Sequence, residues 1–106
     1  VDIEIRRLDD VIPASAQIAL IKIDVAGAEL RTLGGALATI RRCQPIVILE
    51  AGFSSEARSR ELFDLLRSGG LRLSTMALWL NSQPPPTTFE EYLPLARSNF
   101  YFLAHP

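Results

Sequence analysis

Cysteine is nearly absent from this chain. Cys43 is the sole one among 106 residues, so no disulfide can form within it, and a reducing cytoplasm is its expected home. Histidine is as scarce: His105 stands alone, and no metal is expected. An excess of one charge sign is missing too. The 11 basic and 12 acidic residues are spread without blocks and sum to −1, which gives no electrostatic case for nucleic acid or an anionic membrane. No apolar run approaches the roughly 20 residues that cross a bilayer, and the N-terminus has no charged start followed by an apolar signal segment. There are no internal repeats and no linker between two cores. These absences leave one small domain of a soluble protein, 48% hydrophobic, with a core of its own. It begins at Val1 inside an apparent strand and reads as an excerpt from something longer.

The apolar periods order the elements. Val1, Ile3 and Ile5 alternate with Asp2, Glu4 and Arg6, the period of a half-buried strand across "VDIEIRRL". "DDVIPASAQ" interrupts it as a loop, with Asp9 and Asp10 as turn-forming residues. "IALIKID" is a buried strand of the parallel-sheet kind. From Ala28 the period becomes helical through Leu30, Leu33, Leu37 and Ile40, with Arg41 and Arg42 favouring the negative helix end. Gly34 and Gly35 inside that helix weaken it by about 1 kcal/mol each relative to Ala, which close packing on a sheet would explain.

"PIVILEAG" is the next strand, and "SSEARSRELFDLLRSGG" a capped helix stopped by Gly69–Gly70. "LRLSTM" follows as a short strand, "NSQPPPTT" as a loop, "FEEYLPLA" as a short helical turn and "NFYFLAHP" as a closing strand. Strands alternating with helices predict an α/β fold with parallel pairing. The last two strands lack a long helix between them and suit an antiparallel pair.

Carboxyl ends of strands are where open α/β sheets bind ligands. Asp24, Glu50 and the acidic pair Asp9–Asp10 each follow a strand in this reading. Gly27 allows a close backbone approach at the start of a helix. A carboxylate placed there can cap the helix, hold a hydroxyl, bind a metal or take a proton.

The segment "IKIDVAGAELRTLGGALATIRRCQPIVILE", preceded by "RRLDDVIP", resembles the FkbM-type methyltransferases. Their usual pattern is Ile/Leu-Lys-Ile-Asp-Val-Glu-Gly-Ala-Glu, a Leu-x-Gly-Ala helix, then Pro and a strand ending in Glu. The resemblance spans roughly residues 6 to 50. It implies methyl transfer from S-adenosylmethionine to a hydroxyl oxygen of a sugar or polyketide-like acceptor. The fold it implies is a Rossmann-like methyltransferase sheet, mostly parallel with an antiparallel final strand and helices packed on it. The strands at 18–24 and 45–50 would be the fourth and fifth of that sheet. Asp24 and Glu50 would be catalytic, Asp9 and Asp10 cofactor-binding, and Lys22, Gly27 and Glu29 would fix the strand–helix corner or meet substrate.

Ala26 stands where the family usually has Glu. The Gly-rich cofactor turn has no counterpart, since Gly34–Gly35 lies within a helix period and Gly69–Gly70 closes one. Residues 1–106 therefore correspond to the C-terminal portion of one such domain, poor at binding the cofactor alone. The alternative is a non-catalytic remnant or interaction module of the same fold. It would pair through an exposed sheet edge with a second copy, giving a homo-oligomer, or with a missing N-terminal half.

Simpler roles stand beside these. Asp24 can cap the helix that follows, Lys22 can pair with a nearby carboxylate, and Glu29 can answer the helix dipole. Trp79, Phe100, Tyr101 and Phe102 read as core and edge-strand packing.

Overall fold

Alternating strands and helices are what the chain adopts in a computed structural model, which describes residues 6–24 and 27–106. The strand expected over "VDIEIRRL" falls mostly on residues 1–5, outside the described residues. Its tail does not extend it, because Arg6 and Arg7 are irregular and Leu8 opens a short helix, α1 (Leu8–Val11). Asp9 and Asp10 thus lie on a helix and not in a loop.

After β1 (Leu20–Ile23) the expected single helix is two, α2 (Glu29–Gly34) and α3 (Leu37–Cys43). The break falls at Gly35, where an added Cβ would lie 3.4 Å from Cβ of Arg7. The Gly35 carbonyl also accepts the Asp9 amide at 2.8 Å. What crosses this glycine is the segment before α1 and not the sheet. The helix start exposed by the break is capped from a distance. Asp9 Oδ2 accepts the Ala38 amide at 3.0 Å, and Oδ1 accepts the Thr39 amide at 2.9 Å and hydroxyl at 2.7 Å.

β2 (Ile46–Glu50) leads to α4 (Glu56–Ser68), whose first turn is capped by Ser55 Oγ on the Arg58 amide at 3.1 Å. Its end is a Schellman turn. Leu71 N–H reaches the Leu66 carbonyl at 3.0 Å and Gly70, at φ +90°, N–H reaches that of Arg67 at 3.0 Å. β3 (Arg72–Thr75) stops one residue short of the expected strand, because Thr75 Oγ1 caps α5 (Met76–Leu80). α6 (Phe89–Ser98) is a full helix where a short turn was expected. Thr88 Oγ1 accepts the Glu91 amide at 3.2 Å and Glu91 returns to the Thr87 amide at 2.9 Å. Phe89, Tyr92 and Ala96 bury one stripe of it, so the helix runs on through Pro94. β4 (Tyr101–His105) closes the chain.

The strand order is β1-β2-β4-β3. β1 and β2 are parallel, and β4 is antiparallel to both its neighbours. Three of the four strands therefore point one way and the last runs against them. This is an α/β sheet consistent with part of a Rossmann-like fold. One face carries Ile23, Val47, Leu49, Leu73, Phe102 and Ala104 into a core shared with Leu33, Ile40, Leu66 and Tyr92 of the helices. On the opposite face α5 packs against β3 and β4, with Trp79 4.7 Å from the His105 ring.

Candidate functional site

Parallel register decides which side chains leave the sheet together. β1 and β2 pair as Lys22↔Ile48 and Ile23↔Leu49, so the next residues, Asp24 and Glu50, emerge side by side at the carboxyl ends. Glu50 pairs in turn with Tyr101 across the antiparallel β2–β4 ladder. The Ala51 amide bonds the Phe100 carbonyl at 2.9 Å and extends that ladder toward the site.

Parallel register sets the Asp24 and Glu50 carboxyls beside each other at this end of the sheet, where both line one cavity. Hydrogen bonding toward the Asp24 carboxyl is the main reason the Glu50 carboxyl is pushed above the usual glutamate range. Desolvation and the charge of Asp24 add to it, while the charge of Lys22 and a hydrogen bond from Tyr101 pull the other way.

In front of the pair lies a cavity of about 320 Å³. Its inner surface is apolar, with Tyr92 and Phe102 almost fully buried, and burial pushes the Tyr92 phenol up so that it stays neutral. Phe53 and Phe100 are partly exposed and supply aromatic walls. The charged groups that line it are Asp24, Glu29, Glu50 and Arg58.

The corner after β1 is held at both backbone polar groups of Gly27. Its N–H donates to Glu29 Oε1 at 3.2 Å, and its carbonyl accepts Arg58 Nη2 at 3.1 Å. Gly27 sits at φ +79°, and a Cβ there would meet no atom within 4 Å, so the need for glycine is conformational and not steric. Val25 and Ala26, the residue at the usual Glu position, lie outside the described residues.

Asp24, Glu50, Gly27 and Glu29 thus converge on one cavity, with Lys22 close enough to act on Glu50 through its charge. Asp9 and Asp10 do not join them. Burial would raise the Asp9 pKa, but the bonds from Thr39 and Ala38 and the charge of Arg7, 3.8 Å away, outweigh it and hold the carboxyl below the ordinary aspartate range. Asp10 is exposed on α1. Sequence reasoning missed Arg58, Phe53, Tyr92 and Phe100 as lining residues and Tyr101 as a partner of Glu50. For Tyr101 a signal was present, since it alternates against Phe102 and so faces away from the core.

The Gly-rich pairs are committed elsewhere. Gly35 lies against Arg7, a Cβ on Gly69 would lie 2.9 Å from Ile40 Cγ2, and one on Gly70 2.9 Å from the Gln44 amide. A carboxylate pair suits a sulfonium cation, yet among the described residues no glycine-rich turn is free to cradle a nucleoside. No helix among them is long and apolar enough to cross a membrane.

An α/β sheet whose parallel strands deliver acidic residues to a cavity beyond their carboxyl ends has the arrangement in which open α/β sheets place their ligands. The chain belongs to the FkbM methyltransferase domain family, which matches residues 1–73. That span runs from the N-terminus into β3 and contains Lys22, Asp24, Gly27, Glu29 and Glu50; β4, with Tyr101, lies beyond it. No match was found among curated proteins or among solved structures.

Proposed function

We propose that this domain methylates a hydroxyl oxygen of a small ring-bearing molecule, such as a sugar or a polyketide-like compound. S-adenosylmethionine, the general donor of this class, supplies the electrophilic methyl when bound. Asp24 takes the hydroxyl proton as the oxygen is alkylated, and Glu50 shares it. Phe53 and Phe100 hold the acceptor's apolar face, and the buried aromatic floor excludes water. Glu29 and Arg58 keep the Gly27 corner, and with it Asp24, in place. The observation that carries this reading is the side-by-side Asp24–Glu50 pair at the mouth of an aromatic cavity.

Amide NMR of the chain with a series of methyl glycosides tests acceptor binding. Shifts are expected among residues 27–30, 50–54 and 100–102, and their absence with every glycoside would sink the reading. With saturating S-adenosylmethionine, Asp24→Asn is expected to lower label transfer roughly 10²–10⁴-fold. Low-micromolar cofactor binding by the chain alone, measured by calorimetry, would contradict the lack of a cradle.

A second reading has one observation in its favour. β1 is an outer strand of the described sheet, and Leu20 on it is 57% exposed, as a pairing edge would leave it. A module that pairs there would sediment as a concentration-dependent dimer, and a strict monomer would exclude pairing with a second copy.

A further inference from the structure

The cavity beyond β1 and β2 gathers carboxylates, whereas a second one, of about 320 Å³, is lined by none. It lies between the last turns of α4, the outer strand β3 and the proline loop, and it shares no lining residue with the first. Its floor is Phe63, Leu71 and Leu73, all almost fully buried, and its charged groups are Arg67 and Arg72. Pro85 and Pro86 form the facing wall. Proline fixes φ, so that wall needs little ordering when a ligand arrives. The loop is also pinned just after it. Arg67 Nη1 donates to the Thr87 carbonyl at 3.4 Å, and the Thr87 amide donates to Glu91 Oε2 at 2.9 Å.

We propose that this second cavity binds a small organic anion, a carboxylate or phosphate group carried on a single apolar ring, with Arg67 and Arg72 holding the acidic group and the Phe63–Leu71–Leu73 floor taking the ring. Its volume is at the lower end for small-molecule sites, which suits one ring and not a nucleoside. Both guanidinium groups have donors to offer. Arg72 makes no side-chain hydrogen bond or ion pair among the described residues, and Arg67 has only the one long bond to Thr87 and no acidic partner there. Two such forks match the paired oxygens of a carboxylate or phosphate. The nearby Glu91 carboxylate is taken up by the Thr87 amide and hydroxyl. Carbonyls at the end of a helix would repel an anion, but those of Leu65, Leu66 and Arg67 already accept the amides of Gly69, Leu71 and Gly70. Charge and shape therefore select the same occupant.

Nitrogen-15 NMR of the full chain, titrated separately with benzoate, phenyl phosphate, inorganic phosphate and benzyl alcohol, tests this. Benzoate or phenyl phosphate is expected to shift the amides of Leu71, Arg72, Leu73 and Thr87 and the Arg67 Nε signal, and the tighter of the two identifies the acidic group. Inorganic phosphate and benzyl alcohol, each lacking one half of the ligand, are expected to bind at least tenfold more weakly. Arg72→Gln, an exposed change with no partner to lose, is expected to weaken the better anion roughly tenfold, with the remaining amide spectrum showing the fold intact. No shift at these signals with either ring-bearing anion overturns the proposal, and that result needs no variant to fold. Benzyl alcohol binding as tightly as the anions overturns the role of the arginines, and inorganic phosphate doing so overturns that of the floor. Shifts unchanged by Arg72→Gln overturn the site as drawn. None of these titrations uses methyl acceptor or cofactor, so their outcome is separate from that of methyl transfer.

Discussion

Asp9 and Asp24 both stand near the start of a helix, and the molecule uses them in opposite ways. Asp9 places both oxygens on the first turn of α3. Asp24 meets Glu50 at the cavity instead. Asp9→Ala is expected to cost about 1–2 kcal/mol, the usual worth of an N-terminal cap, seen as a lower urea midpoint at unchanged slope. Because the folded pKa of Asp9 is lowered, its contribution is complete above the unfolded aspartate value and is lost as pH falls through the folded one. The stability difference between parent and Asp9→Ala should therefore shrink with acid and stay constant at neutral pH. Gly27→Ala has another cause. At φ +79° the new Cβ meets no atom but strains the backbone, a penalty of roughly 1–2 kcal/mol. Thermal melting should show it, together with altered amide shifts at Glu29 and Arg58.

Two of the glycines mark where elements approach closely, Gly35 against Arg7 and Gly69 against Ile40. α4 ends against α3 at Gly69, where a Cβ would come within 2.9 Å of Ile40 Cγ2 and 3.2 Å of Leu37 Cδ1. Ile40 is fully buried and cannot swing aside. Gly69→Ala is expected to destabilise by about 1–3 kcal/mol, the range for overpacking a core, whereas the same change at Gly34, which faces open space, should gain a few tenths or more from better helix propensity. Chemical denaturation of the two variants side by side checks the contrast. The helical period from Leu30 to Ile40 was legible in the sequence because packing on one face demands it. The break at Gly35 was not, because its cause is Arg7, a residue from another element. α6 was underestimated for a related reason. Pro94 argues against a helix locally, but Phe89, Tyr92 and Ala96 bury a continuous stripe that holds it.

Across the whole molecule, stability and site chemistry are carried by different ends of the same strands. Leu49 is fully buried in the centre of the sheet, one residue before Glu50. Leu49→Ala is expected to cost about 2–5 kcal/mol, enough to threaten a small domain. Glu50→Gln, at a half-buried strand end, should leave the urea midpoint nearly unchanged while altering the titration of the pair. Equal losses from both variants would mean that the carboxylate pair belongs to the core.

What this sequence determined by itself is what depends on residues a few positions apart: strand and helix periods, the serine cap before α4, the glycine corner after β1, and acidic residues at strand ends. Those features arise from backbone dihedrals and local hydrogen bonds, which neighbours along the chain dictate. Only the tertiary structure decided that Asp9 caps a helix 29 residues away, that β4 lies between β2 and β3, and that Tyr101 pairs with Glu50 across the β2–β4 ladder. Partners of that kind are set by sheet order and register, which emerge from burying the whole core at once.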